Sequence, residues 1–182
     1  MASEDNKPFL YLGKLDTLPP FRTGDALYKY GEVVQGKFYG IDYARAFISH
    51  IPALEAIVPD PWFNMISHTH MTVNRRVPPH TDSGICTAVN VYYNTCNCRT
   101  QFYEINDAEN SFQLNNQTNG RIYNEAALTP THSFTAAPGE AWLLDVTQVH
   151  SVEPASSAPI FRDALSLHTT VPFDIIKKRL IS

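Results

Sequence analysis

The spacing of apolar residues changes character at about Asn64. Ahead of that point Phe9-Leu10-Tyr11-Leu12 reads as a first strand. Between Gly40 and His50, residues Ile41, Ala44, Phe47 and Ile48, with Ile51 just beyond, recur at helical spacing and predict a helix. Pro52 then breaks it or opens a second short helix running through Val58. From Asn64 to Asn74 the period falls to two. His68, His70 and Thr72 take one face, and Ser67, Thr69, Met71 and Val73 the other. β-branched and aromatic runs predict further strands at Ile85–Asn94, Thr100–Ile105, Ser133–Ala137, Glu140–Val146, Val149–Val152 and Phe161–Val171. Residues 106–131 are polar and Asn-rich with a turn signal at Asn119-Gly120, and predict a long loop or loose hairpin. Phe173 to Ser182 reads as a short amphipathic segment ending in Lys177-Lys178-Arg179, a solvated terminal helix.

Short strands punctuated by thirteen prolines and eight glycines suit a β-sandwich or barrel, and 182 residues suit one domain. The expected organisation is a single domain over 1–182. Its β core spans about 64–171, with residues 1–63 giving an N-terminal strand and helical support packed on one sheet.

Composition narrows the function classes. The chain is 43% apolar and 12% aromatic, as in a globular protein. A net charge of −4, from 18 acidic and 14 basic residues, gives no polycation for nucleic acid. The opening stretch lacks the basic start and apolar core of a signal peptide, and no run approaches the ~20 apolar residues of a membrane span. Cys86, Cys96 and Cys98 are odd in number and read as free thiols, so the expected location is the cytoplasm, where the Asn116-Gln117-Thr118 acceptor would go unused.

The candidate chemistry centres on His80, Asp82 and His150. Residues i and i+2 of a strand point to one side, so His80 and Asp82 can grip one ion, and Pro79 and Gly84 place them at a strand end. Two imidazoles and a carboxylate can occupy one face of an octahedral Fe(II), leaving three positions open. Pro138-Gly139 reads as a tight turn before a buried strand, and His150 enters the next one. Arg162 follows on the same face as Ala164, Ser166 and His168. An inward arginine is costly without an anion, and its rigid fork fits a carboxylate. Arg162 could instead serve a structural ion pair with Glu153 or Asp163. His68, His70 and His168 read first as structural histidines, although His70 falls where a ligand could sit. Cys96 and Cys98 have zinc-site chemistry but no second pair. Arg75-Arg76 reads first as a solvated loop.

The pattern His80-x-Asp82, Pro138-Gly139, His150-Ser151-Val152-x-Pro154 and Arg162 resembles the Fe(II)/2-oxoglutarate-dependent dioxygenases, particularly their prolyl-hydroxylase-like branch. The resemblance covers about Asn64 to Val171, with Thr87–Asn94 and Thr100–Tyr103 similar to the family's third and fourth core strands. It implies a double-stranded β-helix, or jelly roll. It also implies iron on His80, Asp82 and His150, with Arg162 on the distal carboxylate of 2-oxoglutarate. Dioxygen is then the oxidant, and ascorbate an accompanying reductant. The expected activity is C–H hydroxylation of a peptide, amino-acid-like or small-molecule substrate, with release of succinate and CO2. Many members carry serine or threonine two places after the arginine, where this chain has Ala164. Ser166, or a hydroxyl from another strand, would have to substitute, and Tyr92 and Asn90 are further candidates for the cosubstrate pocket. Two alternatives stay open: a non-catalytic jelly-roll metal-binding module, and a cupin-like metalloenzyme that uses no 2-oxoglutarate. Both leave Arg162 without a dicarboxylate.

Overall fold

A computed structural model describes residues 6–30, 33–34, 37–38, 41–48, 55, 65–106, 112–114 and 121–181. In chain order the strands are β1 (Phe9–Lys14), β2 (Phe21–Tyr30), β3 (Val33–Val34), β4 (Lys37–Phe38), β5 (Ile41–Ile48), β6 (Met65–Val73), β7 (Val77–Thr81) and β8 (Thr87–Cys96). They continue with β9 (Cys98–Ile105), β10 (Phe112–Leu114), β11 (Arg121–Tyr123), β12 (Leu128–Phe134), β13 (Glu140–Asp145), β14 (Val149–Pro154) and β15 (Phe161–Thr169). One helix, α1 (Phe173–Leu180), closes the series. The protein is mainly β. A seven-stranded antiparallel sheet runs β1-β13-β8-β15-β6-β5-β2, and a six-stranded one runs β10-β11-β7-β14-β9-β12.

The core lies between these sheets. Met71, Val73, Ala88, Tyr92, Leu144 and Ala164 of the larger sheet pack with Val77, Phe102, Ile122, Phe134 and Val152 of the smaller one. Period two places these residues inward. Along β6, Thr69, Met71 and Val73 are buried while His68, His70 and Thr72 are half-buried. The larger sheet also buries its other face. Val89, Val91, Leu143, Leu165 and Leu167 pack there against Phe173 and Ile176 of α1 and against Leu15.

The segment expected to be helical from Gly40 to His50 is instead β5, with Ile41 opposite Val73 and Tyr43 opposite Met71. Ile41-Asp42-Tyr43 also satisfies period two, and pairing with β2 and β6 overrides a weak helical pattern. The second predicted helix, from Pro52 to Val58, lies outside the described residues apart from Glu55. Among the described residues the helix bracing a sheet is therefore C-terminal, and α1 is docked by Phe173 and Ile176 rather than merely solvated. Within 106–131 the described residues follow the hairpin alternative. β10 and β11 pair as a hairpin, β11 hydrogen-bonds to β7 beside His80, and β12 begins at Leu128, five residues before the predicted strand.

Candidate metal centre and anion pocket

The local sequence of β7 sets the level of His80. β7 lies between β11 and β14, and His80 pairs with His150 while Val77 pairs with Val152, so three steps of β7 face two of β14. Pro78 and Pro79 fall in this irregularity, where their missing N–H groups cost least. The two imidazoles consequently stand side by side, ring centroids 4.4 Å apart. Each places Nδ1 2.9 Å from the carbonyl two residues earlier, Pro78 for His80 and Gln148 for His150. A carbonyl only accepts, so both Nδ1 atoms carry a proton, and Nε2 of each ring is the atom that can meet a cation once it is deprotonated. Asp82 follows the strand end, its N–H donating to Val146 O at 3.1 Å, and Gly84 at φ +76° turns the chain away beyond it. Asp82 Oδ1 lies 3.5 Å from His80 Nε2, and ligand atoms of all three residues fall within 4.8 Å of one another.

The electrostatics match a site built for a cation. Burial pushes the Asp82 carboxyl up, but the His80 hydrogen bond and the nearby imidazoles of His150, His80 and His168 outweigh it and hold the group at about 2. Burial, reinforced by His80 and by Arg162, lowers His150 to about 4. Burial acts against a charged His80 too, yet Asp82 beside it wins and raises it above the ordinary imidazole value. Near neutrality Asp82 is thus a carboxylate and His150 a neutral donor, while the raised His80 favours its protonated form, whose Nε2 proton a metal ion would replace.

The second group faces this one from the larger sheet. Arg162 is 2% exposed, and its Cζ lies 5.1 Å from the centre of the Tyr92 ring. Nη1 donates to Thr100 Oγ1 at 3.1 Å, whereas Nε and Nη2 are buried with no hydrogen-bond partner. Both carboxylates that could have paired with Arg162 are engaged elsewhere. Glu153 binds Arg76 through Nε at 2.7 Å and Nη2 at 2.9 Å. Asp163 pairs with His70 on the opposite face of the sheet. A buried guanidinium with two idle N–H groups is expensive, and an anion accepting from both would remove the cost. The two groups are neighbours. Thr100 is two positions from Phe102, which pairs with His150, and Arg162 is close enough to lower His150.

Ala164, fully buried, follows Arg162 on the same inward face. Beyond it, Ser166 Oγ donates to Asn90 Oδ1 at 2.6 Å and lies 2.8 Å from His168 Nε2; Asn90 Nδ2 is 3.5 Å from Tyr92 Oη. An irregularity in β8, where Tyr92 faces Ala164 and Asn94 faces Asp163, brings Tyr92 level with this row.

His80, Asp82 and His150 are therefore brought together as the sequence predicts, and Arg162, Tyr92, Asn90 and Ser166 line the opposite wall. Arg162 donates to the hydroxyl of Thr100, on another strand, while Ser166 binds Asn90 and His168. Thr100 and His168 were not singled out as site residues. Alternation with Phe102 and Ser166 would have placed both inward. His70 is not a ligand candidate, because it faces Asp163, Thr23 and Phe21 on the far side of the sheet. Arg76 is held by Glu153 and Glu125 rather than solvated. Cys96 is exposed and Cys98 buried, the left-handed Asn97 between them, and neither belongs to the metal-binding group found among the described residues. Compared with protein-family models and with curated proteins, the sequence matches none.

Proposed function

We propose that the protein is an Fe(II)- and 2-oxoglutarate-dependent oxygenase that hydroxylates a C–H bond of a peptide or amino-acid-like substrate. The observation that carries this reading is Arg162, buried with Nε and Nη2 unpartnered on the wall opposite the His80–Asp82–His150 cluster. A metal-binding module or a cupin-like enzyme without 2-oxoglutarate would give that guanidinium nothing to bind. The donor set fits the metal, since two neutral imidazoles and one carboxylate leave half an octahedron open. In this reading the two facing sheets form a double-stranded β-helix, and the protein works in the cytoplasm.

Iron with bound 2-oxoglutarate and dioxygen would supply the oxidation, releasing succinate and CO2 and delivering one oxygen atom to the substrate. His80, Asp82 and His150 would hold the metal, and their Nδ1 hydrogen bonds to Pro78 and Gln148 keep the imidazole rings from rotating. Arg162 would bind the distal carboxylate through Nε and Nη2, while Thr100 keeps Nη1 from swinging away. In this reading the small side chain of Ala164 would let the carbon chain pass between the anchor and the metal. Phe102, Val152, Ile122 and Met71 exclude water and strengthen each charge contact. In this reading residues 75–79 and the β10–β11 hairpin within 106–131 would rim the pocket. Because β11 pairs with β7 at His80, shortening that segment must spare Arg121–Tyr123.

Fe(II)-loaded protein incubated with 2-oxoglutarate in air tests the reading, with succinate followed by NMR across amino acids, proline-containing peptides and small metabolites. Substrate-stimulated succinate release is the expected result. Stimulation by a non-peptidic metabolite alone would remove the peptide assignment and leave the oxygenase. No succinate under any condition would remove both.

A further inference from the structure

Three polar residues on the cavity face, His168, Ser166 and Asn90, form a row that neither the metal nor the arginine anchor requires. Polar groups buried among apolar walls persist where their hydrogen bonds are complete and directional, and the direction of this row can be deduced. Asn90 presents Oδ1 to Ser166 and Nδ2 to Tyr92. A serine hydroxyl has one hydrogen, and Ser166 gives it to Asn90 Oδ1, so at the 2.8 Å contact with His168 the imidazole Nε2–H must donate. Donation therefore runs from His168 to Ser166, from Ser166 to Asn90, and from Asn90 Nδ2 to Tyr92 Oη. A phenol that accepts from Asn90 keeps its own hydrogen for another acceptor, and the ring of Tyr92 lies against Arg162.

We propose that His168 is a positioning residue that, through Ser166 and Asn90, keeps the Tyr92 hydroxyl hydrogen turned toward the carboxylate bound by Arg162. The proposal rests on the reading of Arg162 as the 2-oxoglutarate anchor. Reversing the Asn90 amide would turn Oδ1 toward Tyr92, whose hydrogen would then be used inside the protein. The pocket would present one donor fewer to an anion. With the row intact, its donors are Arg162 Nε, Arg162 Nη2 and Tyr92 Oη, a set suited to a carboxylate that only accepts.

Calorimetric titration of Mn(II)-loaded protein with 2-oxoglutarate tests this, because it reads binding without turnover. His168→Phe, which removes the donor, should weaken 2-oxoglutarate about tenfold, the effect of one hydrogen bond to a charged group. Ser166→Ala, a smaller change in the same row, should do likewise. His168→Gln, whose amide can donate from nearly the Nε2 position, should bind close to wild type. In a Tyr92→Phe background His168→Phe should add nothing further, since the effect passes through the hydroxyl. Mn(II) affinity should be unchanged throughout. Wild-type binding by both His168→Phe and Ser166→Ala would overturn the positioning role. So would a His168→Gln variant as weak as His168→Phe, or a full loss that persists without the Tyr92 hydroxyl. Arg162→Ala separates the two layers. If it binds normally, the anchor reading falls and the positioning role with it; if it fails to bind while His168→Phe binds normally, only the positioning role falls.

Discussion

Arg162 and His80 carry the sharpest expectations at the scale of single residues. Arg162→Lys keeps the charge but not the fork, so 2-oxoglutarate binding should weaken while metal binding stays nearly unchanged. Arg162→Ala should be worse, about tenfold to a hundredfold, the worth of a charge-assisted pair. Direct titration of each variant with 2-oxoglutarate checks both. His150→Ala should reduce metal affinity by more than the roughly 10–100-fold typical of losing a partner outside the coordination sphere. The pH dependence of metal binding follows from His80. Its value is raised by Asp82, so below its pKa a proton must leave before a metal ion enters, and affinity should fall as pH falls. His150, at about 4, and Asp82, at about 2, take up protons only in stronger acid. Mn(II) titrations carried from above the ordinary imidazole range down through it should therefore lose up to about tenfold in affinity per pH unit, corresponding to one proton; a profile flat throughout would contradict the assignment. The pairing of His80 with Asp82 was legible because two positions at a strand end is a local relation, whereas His150 joins them only through the pairing of β14 with β7. Thr100 was not legible, since its meeting with Arg162 depends on two sheets coming face to face, which local spacing does not encode.

β6 could be read directly from its alternation, and β8 and β15 from their β-branched and aromatic runs. β5 could not, because Ile41, Ala44, Phe47 and Ile48 satisfy a helical period while Ile41 and Tyr43 satisfy a strand, and only pairing with β2 and β6 decides between them. The docking of α1 was hidden for a related reason. Its apolar face was visible, but the outer face of the larger sheet that receives it, Leu143, Leu165 and Leu167, reads locally like any buried strand. Ile176 is 8% exposed and Ile175, one step around the helix, is 49% exposed. Ile176→Ala should therefore cost about 2–4 kcal/mol in denaturant unfolding. Ile175→Ala should stay within about 0.5 kcal/mol. Equal effects would mean that α1 does not dock as described.

The site belongs to the molecule as a whole. His80, His150 and Thr100 stand on the smaller sheet, while Arg162, Tyr92, Asn90 and Ser166 stand on the larger, so the unfolded chain has no such site to offer. Ligands that bind the folded state alone stabilise it by mass action, about 2.7 kcal/mol at a hundredfold excess over Kd. Metal and 2-oxoglutarate together should raise the melting temperature by roughly 5–10 °C, and 2-oxoglutarate should add little to Arg162→Ala. The most direct measurement of the central claim is an anaerobic titration of the metal-free protein with Fe(II) and then 2-oxoglutarate, followed in the visible region. The weak charge-transfer band of chelated 2-oxoglutarate should appear with wild-type protein, vanish in His150→Ala, and require far more 2-oxoglutarate in Arg162→Ala. No band from the intact protein, with the metal held instead at Cys96 and Cys98, would contradict the account.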